Sequence, residues 1–174
     1  MARFIIVGML MIAAIAGALL YYQQVFAYYT PVQAEAQDVR LTNLVTGQAE
    51  PILFDGFEVI DADSSPIRYR ACFTTPLSQA MLTETFIIRD DAEPLVAPSW
   101  FDCFDAVQIG ADIESGEAIA FLGVENVQYG IDRLVAIYPD GRAFAWHQIN
   151  ECGEVVFDGN PTPENCPTAP EGLN

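Results

Sequence analysis

His147 is the only histidine among 174 residues, so whatever an imidazole does in this protein one ring must do alone. It lies in the run Arg142 to Ile149. If that run pairs with Ile131 to Tyr138, His147 faces Arg133 across the two strands. A histidine opposite an arginine, with Trp146 next to it in sequence, could build an anion or small-ligand pocket. The plainer reading is a hydrogen-bonded structural residue. One imidazole excludes a multi-histidine metal centre and any relay built on histidines. There is also no Gly-x-Ser-x-Gly elbow to present a nucleophile. Trp100, Phe101 and Phe104 could line a cleft with Trp146, although aromatics beside a cysteine more simply belong to a core.

The other reactive side chains are Cys72, Cys103, Cys152 and Cys166. No Cys-x-x-Cys is present, which removes a thioredoxin-like pair and covalent haem, and the spacings fit no zinc module. An even set of cysteines in an oxidising compartment forms disulfides. Of three possible connectivities, Cys72 with Cys103 and Cys152 with Cys166 close moderate loops without threading the chain past its neighbours. In the chain-entropy model each contributes about 3–4 kcal/mol. Acid pairs such as Asp61/Asp63 and Asp90/Asp91 raise calcium, but the EF-hand offsets and terminal glutamate are missing, and a solvated acidic surface accounts for them. Met81 is the sole methionine beyond the N-terminal stretch, too few soft ligands for copper handling. The sequence thus leads to no expected catalytic residue, cofactor or metal.

These side chains depend on elements set by the chain's location. From Phe4 to Tyr22 no charge occurs over 19 residues. As a helix this stretch rises about 28 Å, close to the hydrocarbon thickness of a bilayer. Arg3 precedes it and no Lys or Arg follows until Arg40, which predicts a cytoplasmic N-terminus. Tyr21, Tyr22, Phe26, Tyr28 and Tyr29 crowd the outer end, as an interfacial aromatic belt would. A cleaved signal peptide is the rival reading, with small residues at Val25-Phe26-Ala27 and Ala34-Glu35-Ala36, but the apolar stretch is longer than such a segment needs. Within it Ala13 and Gly17, like Ala14 and Ala18, stand four apart and leave a groove of small residues for helix packing.

The expected organisation is a transmembrane anchor over 1–22, a tether over 23–37, a periplasmic domain over 38–159 and a proline-rich tail over 160–174. Apolar clusters around Val39–Val45 and Ile52–Ile60 predict short strands. Pro66 to Thr75 alternates as a strand, with Tyr69, Ala71 and Phe73 on one face and Arg70 and Cys72 on the other. Leu77 to Ile88 is ambiguous between helix and strand. Ala106, Ile109, Gly110 and Ile113 mark a short helix that Gly116 can end. Pro139-Asp140-Gly141 between two β-type runs is a hairpin turn. Both hairpin faces are apolar, which predicts a central position with cover on each side. Gly153 to Gly159 reads as a further strand. The fold class is α+β, a mainly antiparallel sheet with one or two short helices and two disulfides.

Four stretches, Arg70-Ala71-Cys72-Phe73-Thr74-Thr75-Pro76-Leu77, Trp100-Phe101-Asp102-Cys103-Phe104-Asp105, Tyr129-Gly130-Ile131-Asp132-Arg133, and Trp146-His147-Gln148-Ile149-Asn150 with Cys152-Gly153, resemble an uncharacterised family of short proteobacterial proteins with an N-terminal hydrophobic segment. The likeness covers about residues 20 to 166 and carries no motif of known chemistry. A histidine-kinase label sometimes attached to such proteins does not suit this chain, which lacks glycine-rich nucleotide boxes and has its histidine on an external strand. Beyond Arg3 the chain carries 24 acids against six arginines and no lysine, which disfavours nucleic acid. The expectation is a single-pass protein of a bacterial inner membrane, N-terminus cytoplasmic. It would act as a non-enzymatic accessory, assembly or stabilising subunit of a larger membrane complex. The alternative is a periplasmic ligand-binding or sensory module with contacts at Arg133, Trp146 and His147.

Overall fold

The Pro139-Asp140-Gly141 turn closes as its residue types require. In the computed structural model, which describes residues 2–27, 29–31 and 39–172, Gly141 takes φ +89°. Tyr138 N donates to the Arg142 carbonyl at 2.9 Å and Gly141 N to that of Tyr138 at 3.0 Å. The strands so joined, Ile131–Ile137 (β7) and Arg142–Ile149 (β8), pair antiparallel, Ile137 opposite Ala143, Leu134 opposite Trp146 and Arg133 opposite His147. That is the register expected from a three-residue loop.

Around this hairpin the other strands are Thr30–Pro31 (β1), Arg40–Thr42 (β2), Ala49–Pro51 (β3), Asp55–Asp61 (β4), Arg70–Thr74 (β5) and Ile119–Gln128 (β6). Six form one antiparallel sheet in the order β1-β4-β5-β8-β7-β6, and β2 with β3 forms a separate ribbon. The hairpin is therefore central. One sheet face, with Tyr69, Ala71, Phe73, Val135 and Ala145, packs against Leu41, Ile52, Leu82 and Phe86. The other, with Cys72, Leu134, Ala136 and Trp146, packs against Phe101, Phe104 and Ile109. Strand alternation sends neighbours such as Ala145 and Trp146 into different cores.

Among the described residues, three short helices complete the domain, one more than the pattern implied. Gln79–Thr85 (α2) begins at Ser78, whose side chain accepts from Met81 N. It resolves the ambiguous stretch, because Phe86 and Ile88 then form isolated bridges to Asn43 and Phe121. Ala106–Ser115 (α3) is capped by Asp105 and ended by Gly116 at φ +80°. Glu151–Phe157 (α4) stands where a strand was expected. Val155-Val156-Phe157 is β-type by composition, but the Asn150 side chain accepts from Gly153 N at 3.0 Å and starts a helix that buries Val156. Cys72–Cys103 and Cys152–Cys166 are bonded, and among the described residues no cysteine is free.

The N-terminal helix, Ala2–Tyr22 (α1), continues through a π-helical turn, Gln23–Ala27. The apolar helix Arg3–Ala27 is long enough to cross a membrane, and none of its apolar window is buried against the domain. The segment read as a tether joins the sheet early, since Thr30 and Pro31 pair with Asp61 and Ile60. Tyr28 and residues 32–38 lie outside the described residues.

Candidate functional site

His147 and Arg133 do meet. Arg133 Nε donates to His147 Nε2 at 3.1 Å, and His147 Nδ1 lies 2.6 Å from the Pro66 carbonyl oxygen. With Nε2 accepting, Nδ1 must carry the proton and donate it to Pro66, so the partners select the tautomer. Tyr69 stacks on the imidazole at 4.5 Å between ring centroids, and the Arg133 guanidinium lies 4.0 Å over the Tyr69 ring. Burial, then the Arg133 charge, pushes His147 down to about 4, against the opposing pull of the Pro66 carbonyl. The ring is neutral near pH 7 and both nitrogens are engaged. Its chemistry here is to pin the 61–66 loop to the hairpin. Beside it opens a polar cleft of about 170 Å³, lined by Asp61, Asp63, Ser64, Ser65, Gln128 and His147 among others.

Trp146, the third residue expected there, is fully buried in the opposite core. It points away from His147 because neighbouring strand residues face opposite ways. Ala13 and Gly17 lie on one face of α1, where a Cβ on Gly17 would meet no atom of this chain within 4 Å.

The structure adds two clusters. Asp132, almost fully buried, accepts from Arg89 Nη1 at 2.8 Å, Asn126 N at 2.9 Å and Asn150 Nδ2 at 2.8 Å. Arg89 also grips Asp91 through two bonds, 2.7 and 2.6 Å. Gln148 accepts from Glu93 N and donates to the Asp91 carbonyl, holding the same loop from the hairpin side. A cleft of about 530 Å³ runs beside this loop, lined by Arg89, Asp90, Asp91, Glu93 and Glu114 among others.

The second cluster centres on Arg70, which is only 4% exposed. Its guanidinium donates to four backbone carbonyls: Leu95 at 2.6 Å, Ile67 at 2.8 Å, Tyr69 at 2.6 Å and Val96 at 3.3 Å. It also lies 5.8 Å over the Phe104 ring. Burial lowers its pKa to about 10, so it stays charged. The clamp fixes the loop leading to Trp100, whose indole Nε1 donates to the Val25 carbonyl at 2.7 Å. Phe26 stacks on Trp100 at 6.3 Å, and Tyr29 meets it edge-on at 5.9 Å. The carbonyl at the end of the π-helical turn, which has no partner within its own helix, thus finds one in the domain. An arginine inside an alternating strand, on the face shared with Cys72, was the available signal for Arg70. Nothing local marked its distant partners, Leu95 and Val96.

Comparison with known proteins adds one match. The model of a family of unknown function (DUF6446) matches residues 39–167. The chain belongs to this family. The matched stretch begins just before β2 and ends just past Cys166, so it contains every strand of the sheet except β1, both disulfides, and His147, Asp132 and Arg70. No curated protein and no solved structure matches the chain.

Proposed function

We propose that this member of the family is a single-pass inner-membrane protein with a cytoplasmic N-terminus, whose periplasmic domain serves as a non-enzymatic accessory, assembly or stabilising subunit of a larger membrane complex. The observation that carries this reading is the contrast between the two parts. The domain covers both faces of its sheet and commits His147, Arg89, Asp132 and Arg70 to internal bonds. Among the described residues, none of the apolar window of α1 is buried. Small residues at Ala13 and Gly17 let a neighbouring helix approach closely. The charge of the domain favours a basic or apolar surface on the partner.

Purification from native membranes in mild detergent, followed by mass spectrometry, tests the proposal. The expected result is a co-purifying integral membrane protein that Gly17→Leu releases. Migration alone at the monomer mass would overturn it.

A ligand-binding or sensory role is the second reading, favoured by the polar cleft at His147. It requires a small molecule that stays with the purified protein and is lost in Gln128→Leu.

A further inference from the structure

We propose that the loop carrying Trp100 is a second membrane contact, laid on the zwitterionic headgroup layer of the bilayer that α1 crosses; this rests on reading α1 as an anchor. The argument begins with length. A hydrocarbon core of about 30 Å takes roughly 20 helical residues at 1.5 Å each. Counted from Phe4, it is spent near Gln23, and the helix runs on to Ala27. Val25 therefore stands in the interfacial layer. Trp100 Nε1 is 2.7 Å from the Val25 carbonyl, so the indole stands in that layer with it, although it belongs to the folded domain 75 residues away. This is the depth at which tryptophan is preferred, apolar ring inward and N–H satisfied.

The surroundings suit a lipid surface. Trp100 is half-buried, with Phe26 and Tyr29 against it. On the same loop and at the start of α3, Val96 and Val107 are 75% and 79% exposed, and with Phe101 they line a groove of about 260 Å³. Exposed apolar side chains gathered on one segment of a strongly acidic domain mark an interaction surface. Asp102 and Asp105 lie on the same segment and would be repelled by anionic headgroups, which selects zwitterionic lipid. Arg68 holds its guanidinium 5.6 Å over the Tyr29 ring, bringing a cation to the level of the lipid phosphates.

The protein has two tryptophans, and Trp146 is fully buried. The full chain carrying W146F therefore reports on Trp100 alone. It is reconstituted into vesicles of phosphatidylcholine brominated high on the acyl chains. Trp100 is expected to lose roughly half its emission relative to unbrominated vesicles, as an interfacial indole should, and Val96→Asp with Val107→Asp should relieve part of that loss, since Trp100 keeps its bond to Val25. If W146F fails to fold, the wild-type chain and W100F are compared, and the bromolipid-sensitive emission must vanish in W100F.

A protein that floats with the vesicles while Trp100 ignores bromolipid and is quenched by aqueous acrylamide overturns the contact and leaves the anchor standing. Quenching untouched by the valine variants overturns the extended surface. A protein that fails to float, or is released by alkaline carbonate, overturns the anchor and this inference together.

Discussion

His147 is a residue whose ionisation opposes the fold. Its pKa falls from 6.5 to about 4 on folding, chiefly through burial and then through Arg133. The unfolded chain therefore binds a proton between those values that the folded chain does not. Stability is flat for this group above about pH 7 and falls as the pH drops from 6.5 towards 4, by on the order of 3 kcal/mol in all. Asp91 and Asp140, whose pKa values their arginine partners lower, act only at more acid pH, since they lose their contribution below the ordinary carboxylate value. Thermal melts of the full chain in detergent should decline across pH 6.5 to 4.5, and His147→Gln should flatten that interval. An unchanged slope in the variant would show that the ring titrates elsewhere. Arg70 makes the complementary case, a charge whose removal strands four carbonyls. Arg70→Leu should cost about 3–5 kcal/mol and expose the amides of residues 95–101 to hydrogen exchange, with Arg70→Lys in between. A loss under about 1 kcal/mol would mean that water replaces the clamp.

Among the elements, the hairpin was readable because its determinants are adjacent: a turn triplet sets the loop, the loop sets the register, and the register places Arg133 opposite His147. The disulfide pairing followed from the same topology. α4 was not readable, because β-type residues at Val155 to Phe157 were overridden by the Asn150 cap and by contact with a loop 23 residues earlier. A Cβ on Gly130 would stand 2.5 Å from the Gly153 Cα, and a Cβ on Gly153 would overlap the Gly130 carbonyl oxygen. The two glycines let α4 lie directly on the β6–β7 turn. Gly153→Ala should therefore cost about 1–3 kcal/mol by overpacking, although alanine is the better helix former. Gly110→Ala in α3 is the control. Its Cβ would meet only Pro94 Cδ at 3.8 Å, an ordinary contact, so the same exchange should be neutral or stabilise by up to about 1 kcal/mol. Equal effects at the two sites, measured by urea unfolding, would refute the close-approach account. The Trp100 bond and the distant half of the Arg70 clamp were illegible for a related reason: Val25 lies 75 residues from Trp100, Leu95 and Val96 lie 25 and 26 from Arg70, and no local pattern encodes them.

At the scale of the whole molecule, charge is the dominant long-range term. Everything beyond Arg3 carries 24 acids against six arginines, a formal −18, and two of those arginines, Arg89 and Arg142, are held by Asp91, Asp132 and Asp140. Those ion pairs lose strength as salt is added. The exposed Arg142–Asp140 pair contributes little at any ionic strength, and the Arg89–Asp132 pair is screened less because Asp132 is buried. Repulsion among the remaining acids is spread over the surface and is screened strongly, since the Debye length falls from about 30 Å at 0.01 M to about 3 Å at 1 M. Self-repulsion destabilises a compact state whose net charge is far from zero. The two effects have opposite signs, and the excess of acids decides between them: Tm should rise with potassium chloride at pH 7.5, steeply at first and then levelling off. If the domain docks on a basic surface as proposed, that association should weaken over the same range, so salt would stabilise the protein while loosening the proposed contact. A Tm that falls with salt would mean that attractive pairs outweigh the net charge, and the case for a basic partner would lose its footing with it.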